Sequence, residues 1–248
     1  MFRQIFGNIP DVTKNLLILN VLFFLVKYVL EGQGIDAGKL LGMHYPSSMF
    51  FEPYQIVTHF FMHGDLFHIL FNMIGLVVLG SHLERVWGKK RFFIFYLVTA
   101  LGAMVLHLGV HAWELYEATG QFFPTFHYEY INDSIYAAQY NANGDVIIQD
   151  WMQKPGGILY TSTVGASGAI YGLLMAFALL FPNTEFMLLF PPIPIKAKWL
   201  ALILGAFALY SGYQREAGDS IAHFAHLGGM LFGFIMIKIW QRDKNTFY

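Results

Sequence analysis

Two segments of this 248-residue chain carry side chains able to form a nucleophile and its base. The first is Thr163-Val-Gly-Ala-Ser-Gly-Ala-Ile-Tyr-Gly172, which puts Ser167 at the mouth of an apolar run. The second is Ala225-His-Leu-Gly-Gly-Met-Leu-Phe-Gly233, which puts His226 at the start of another. Reactive polar side chains are costly in lipid, so their presence inside apolar segments is a functional hypothesis by default. A serine beside an imidazole is the pairing of acyl-transfer hydrolysis, where the base takes the hydroxyl proton as oxygen attacks a carbonyl. Gly165 and Gly168 leave the backbone around Ser167 approachable. A helix N-terminus there would offer unpaired N–H groups and a positive dipole end to an oxyanion. The plain alternative is that Gly-Ala-Ser-Gly is a small-residue packing patch. On the histidine's own face Gly229 and Gly233 follow at i+3 and i+7, so that face can approach a neighbouring helix, and Gly168 and Gly172 form a similar stripe. His223, one turn earlier, reads as a solvated bystander.

A third segment, His59-Phe-Phe-Met-His-Gly-Asp-Leu-Phe-His-Ile-Leu-Phe-Asn72, sets His68 and Asn72 at i, i+4 on one face. Both are donors that could meet a developing oxyanion. The alternative is a polar face lining an aqueous cavity, with water entering past His59, His63 and Asp65.

The elements that must position these groups are membrane helices. The composition is 56% hydrophobic and 12% charged, with a mean hydropathy of +0.48. Soluble domains carry about twice that charged fraction, so the class is an all-α polytopic membrane protein in contact with the lipid bilayer. Net charge is -1 and no basic block exists, which argues against a nucleic-acid partner. Cysteine is absent, which removes disulfides and thiolate metal sites. A bilayer core about 30 Å thick needs about 20 apolar residues per helix. Six runs are predicted to span, over about 16–30 (extended if Val12 and Thr13 join), 56–80, 92–111, 164–181, 199–213 and 221–240. Of 15 basic residues, 11 fall on the side of both termini, so the positive-inside rule makes the termini cytoplasmic. The predicted architecture is one domain over 1–248 with a long external loop at about 113–162. Within it Asn141-Ala-Asn-Gly144, flanked by 136–140 and 146–148, predicts a small hairpin. The N-terminus shows no signal peptide with a small-residue cleavage site.

These motifs together resemble the rhomboid family of intramembrane serine proteases. The resemblance rests on Gly165-Ala-Ser-Gly168, on Ala225-His-Leu-Gly-Gly229 with Gly233, on His63 followed by His68-Ile-Leu-Phe-Asn72, and on Gly80-Ser-His-Leu-Glu-Arg-Val-Trp-Gly88, in order across spans two, four and six. It implies a six-helix bundle with a Ser167–His226 dyad and no acid. His68, Asn72 and the Ser167 N–H would form the oxyanion hole, and Tyr171 would stack on the catalytic histidine. It implies substrates that are themselves transmembrane proteins, and no cofactor or metal. Where some members place an arginine two residues after the glutamate, this chain has Val86, which leaves the partner of Glu84 open. A bacterial cytoplasmic membrane is the expected location. The rival readings are a histidine metal site, built on pairs such as His59/His63 and His107/His111, and a non-enzymatic protein of the same fold.

Overall fold

The computed structural model describes residues 9–124, 127–131, 134–140, 146–150, 156–187, 192–214 and 222–242. Helix α1 covers Asp11–Gly32, and two short helices, α2 (Ala37–Leu41) and α3 (Gln55–Thr58), follow it. Helix α4 (Leu66–Gly75) continues through a π turn at Leu76–Gly80 into α5 (Ser81–Trp87). Helix α6 is Lys89–Thr119, and α7 (Gly156–Tyr160) precedes α8 (Ser167–Leu180). Helix α9 is Ala197–Gln214 and α10 is His223–Arg242.

Four of these helical stretches are long and apolar enough to cross a membrane: α1, the continuous run Leu66–Trp87, α6 and α10. Helix α8 is apolar but has 14 residues, about 21 Å at 1.5 Å per residue. Nine of those residues are buried, so protein rather than lipid surrounds most of it. Helix α9, with 18 residues, is the other predicted span outside the four. The described chain is therefore mostly helical, and among the described residues four helices qualify as spans by length and composition, which leaves the expected count of six unconfirmed.

The chain forms two compact units, one of Met1–Val26, His63–His107 and Gly165–Tyr248, the other of Lys27–Met62 and Leu108–Val164. In the first, α8 and α10 pack tightly together and α9 lies against both. Glycine allows this closeness. A Cβ on Gly229 would overlap the Gly168 carbonyl, and one on Gly233 would lie 2.9 Å from the Gly172 oxygen. The Gly168 and Gly172 stripe does not face Gly229 and Gly233 with its own missing side chains, as the sequence suggests. Those directions meet α6, at Ala103 and Thr99. One helix thus gives its backbone to α10 and its glycine faces to α6. On the far side a Cβ on Gly75 would lie 2.7 Å from Ile170 Cγ2.

The partner of Glu84 is the start of α1. The Val12 and Thr13 N–H groups donate to its carboxylate at 2.9 and 2.8 Å, and the Thr13 hydroxyl donates at 2.8 Å. Glu84 is buried, as is Thr13. A carboxylate here meets two of the four N–H groups that a helix start leaves unpaired, and it sits at the positive dipole end. Glu84→Ala would strand those donors, so a loss of about 2 kcal/mol or more is expected, read as a lowered melting temperature in detergent. An unchanged melting temperature would remove this cap from the account of stability.

In the second unit the first loop is largely folded. Tyr45 packs with Leu115, Ile158 and Leu159, and Met43 and Thr163 exchange backbone hydrogen bonds at 2.9 Å. Buried Gln55 donates to the Phe50 carbonyl at 2.9 Å. Buried His59 holds its Nδ1 2.6 Å from the Gln55 carbonyl oxygen. His111 Nδ1 lies 3.0 Å from the buried Glu114 carboxylate. The predicted hairpin is present as β2 (Ser134–Tyr140) paired antiparallel with β3 (Val146–Asp150), while its turn at 141–145 lies outside the described residues. A strand the sequence reading missed, β1 (His127–Ile131), adds a third member, from Ile131↔Ser134 to His127↔Ala138. A two-stranded antiparallel ribbon of β4 (Glu185–Met187) and β5 (Pro194–Lys196) lies between α8 and α9 in the chain.

Candidate active site

Ser167 is the first residue of α8, with Ala166 at the N-cap. Gly165 before it has φ +125°, a conformation open to glycine and strained for other residues. That glycine also clears space, because a Cβ there would lie 2.8 Å from His68 Nε2. Ser167 itself is half-buried, so its hydroxyl is not sealed from a ligand.

His226 sits in the first turn of α10 and is buried. Its Nε2 lies 2.9 Å from the Ser167 hydroxyl oxygen. The Tyr171 ring, one turn after Ser167, stacks flat on the imidazole at 4.1 Å between centroids and 6° between planes. The stack limits tilting of the ring. The glycine contacts of α8 with α10 set how near the two backbones come, and that nearness lets a short serine reach a histidine across two helices.

His68 and Asn72 share one face of α4. Asp65 caps this helix, its carboxylate accepting the His68 N–H at 2.9 Å. The Gly64 N–H donates to His68 Nδ1 at 3.4 Å, and the His63 ring lies edge-on to that of His68 at 5.0 Å. The His68 ring therefore stands against Gly165, two residues from Ser167. Asn72 is buried, and among the described residues its Nδ2 has no hydrogen-bond acceptor. Leaving a buried donor unmade costs about 1–3 kcal/mol, so it stands open to an oxygen that the described residues do not provide.

The sequence-predicted residues thus fall together on one unit: Ser167 with His226 and Tyr171, and His68 beside Gly165. Two expectations change. His63 and His223 are buried rather than solvated. Asp65 is exposed, as expected, but works as a helix cap, a role its place before an apolar run signals in sequence. Among the described residues no three His, Asp or Glu side chains converge as a metal-binding group.

A family model described as "Eukaryotic integral membrane protein (DUF1751)" matches residues 14–247. The chain belongs to this rhomboid-like membrane family. It is similar to RHOMBOID-like protein 12, mitochondrial, of Arabidopsis thaliana, at 28% identity over 196 residues, covering 77% of this chain and 47% of that protein. It is similar to Rhomboid protein 1, mitochondrial, of Saccharomyces cerevisiae, at 24% identity over 196 residues, covering 77% of this chain and 44% of that one. A shorter match, 29% over 77 residues, links it to Rhomboid-like protease 3 of Toxoplasma gondii, covering 31% of this chain and 29% of that protein. The chain spans about half the length of the first two relatives. The expected bacterial membrane finds no support in this rhomboid-like family, whose described members are eukaryotic.

Proposed function

We propose that this chain is an intramembrane serine protease that cleaves transmembrane segments of other membrane proteins in a eukaryotic membrane. The observation that carries the reading is the 2.9 Å approach of Ser167 Oγ to His226 Nε2, under the stacked Tyr171 ring. Ser167 is the nucleophile and His226 the base. The His226 Nε2 accepts the hydroxyl proton as Oγ bonds to the scissile carbonyl carbon. The carbonyl oxygen becomes an oxyanion, met by the Ser167 N–H and by His68 and Asn72. His226 then gives its proton to the leaving amine, and water releases the acyl group by the same route. The groups used are the side chains of this chain, the Ser167 backbone N–H and water, and the steps call for no cofactor or metal.

The substrate must present an extended backbone, because a helical segment holds its carbonyls in its own hydrogen bonds. In this reading α8 and α9 complete a single six-span domain, with α8 shielded by its neighbours and both termini cytoplasmic. The segment at about 113–162 and the Ser167 end of α8 then lie on the opposite side.

The test is labelling by a fluorophosphonate probe, which bonds covalently to an activated serine. The chain should label at Ser167. A folded chain that does not label would be a binding protein of the same fold. The oxyanion assignment has its own measurement. Asn72→Ala should lower kcat by on the order of 100-fold with little change in KM, because the lost donor acts on the transition state. Unchanged turnover in Asn72→Ala, in His68→Ala and in the double variant would exclude both.

A further inference from the structure

We infer that His223 is a positioning residue for the base His226, held in place from α9 by Phe207. The inference rests on the reading of Ser167 and His226 as a dyad. His223 opens α10 and lies one turn before His226 on the same face. The first residue of a membrane helix would ordinarily meet water, yet His223 is 6% exposed. Its ring stands edge-on to the His226 ring, with centroids 6.1 Å apart and planes at 88°. From α9 the Phe207 ring meets His223 in turn, also edge-on, at 6.0 Å and 78°. Both separations lie within the edge-to-face range of about 4.5–7 Å.

Helix α9 comes close here for a local reason. A Cβ on Gly212 would lie 3.4 Å from His223 Cβ and 3.2 Å from the Phe224 ring. The glycine therefore lets α9 close over the first turn of α10, and that closure buries His223.

The geometry around His226 shows what is left for His223 to do. Tyr171 covers a face of the imidazole at 4.1 Å. A flat stack resists tilting but not sliding or rotation within the plane of the ring. An edge-on ring at a different angle resists those motions. Tyr171 from α8 and His223 from α10 together fix the direction of Nε2 toward Ser167, and Phe207 passes the position of α9 to that constraint. A misplacement of about 1 Å in a reacting group can cost about 100-fold in rate. What this role requires of residue 223 is a flat ring of the right size, not a titrating nitrogen.

The experiment uses the full chain in detergent and in liposomes, with a transmembrane reporter for turnover, a fluorophosphonate for Ser167 reactivity, and melting temperature for folding. His223→Ala should lower kcat and the labelling rate about 10- to 100-fold, with KM within about twofold and a melting temperature lowered by loss of the buried ring in a chain that still folds. His223→Phe should restore both rates to within about threefold of the parent chain, since the ring is kept. Phe207→Leu should lower kcat in the same direction and add little to His223→Ala, as expected for residues in one chain of contacts. Parent-like kcat in folded His223→Ala overturns the inference. So does a loss that His223→Phe fails to recover, because that would give the nitrogen a chemical part. If His223→Ala does not fold, a parent-like Phe207→Leu together with a slow His223→Phe overturns it. If the parent chain neither cleaves nor labels, the dyad reading fails first and takes this one with it. If the parent labels and only the His223 result is negative, the dyad stands alone.

Discussion

Ser167→Ala and His226→Ala are each expected to abolish cleavage of a transmembrane reporter and labelling by a fluorophosphonate, in chains that still fold. Members of such a unit act together, and loss of a nucleophile or base in a serine hydrolase can cost on the order of a million-fold in turnover. The two variants fail for different reasons. Without Ser167 Oγ no acyl bond can form. Without His226 the hydroxyl 2.9 Å away keeps its proton and remains a weak nucleophile. The closest approach of α8 to α10 runs through glycine and backbone atoms, which both variants keep, although His226→Ala also loses the stack on Tyr171. Ser167→Ala should therefore melt close to the parent value, and His226→Ala somewhat lower but still as a folded chain, which separates loss of chemistry from loss of fold. Substantial cleavage by well-folded Ser167→Ala would end the serine-protease reading. Labelling that persists in His226→Ala would assign the base to another group.

The approach of Ser167 to His226 was legible because each lies beside glycines at helical spacing. A nucleophile and a base near the same ends of two closely packing helices have few ways to avoid each other. Four spans were legible from apolar runs, but their ends were not. The predicted second span begins at Ile56, whereas the chain makes one short helix at Gln55–Thr58, leaves helical geometry, and restarts at Leu66. Hydropathy records composition and is blind to this break. Gly64 and Asp65 record it, one as a breaker and the other as a cap whose carboxylate takes the His68 N–H. That restart sets the phase of α4 and so the direction in which His68 and Asn72 point.

Helix α6 errs the other way. It runs to Thr119, eight residues past the predicted end at His111. Its last turns carry Glu114 and Glu117, which read as the start of a polar loop. Glu114 is instead buried beside His111, with the two side chains three residues apart on the helix. A charge met by a neighbour on its own helix does not stop that helix. The burial of His223 was hidden for a related reason. Only its position near a predicted span end was visible, and the approach of α9 through Gly212 depends on the fold of another segment.

The second large effect expected is structural. Gly229→Ala adds one methyl group, yet it should destabilise the chain by about 3 kcal/mol and greatly slow labelling at Ser167. The added Cβ would overlap the carbonyl of Gly168. A flexible side chain could turn aside, but this obstacle is backbone. Helix α8 cannot retreat to make room, because a Cβ direction on its other side already meets Ala103 of α6 at Gly168 and Thr99 at Gly172. The strain must then part α8 from α10, which are the helices that carry Ser167 and His226. Separation by even a fraction of an ångström lengthens the 2.9 Å contact on which proton transfer depends. Gly109→Ala is the matched control, since a Cβ there meets nothing within 4 Å. It lies within α6, where alanine favours the helix over glycine by about 1 kcal/mol. Its melting temperature should hold or rise, with labelling unchanged. A parent-like melting temperature and labelling rate in Gly229→Ala would mean that this glycine does not hold the two helices at the distance the dyad requires.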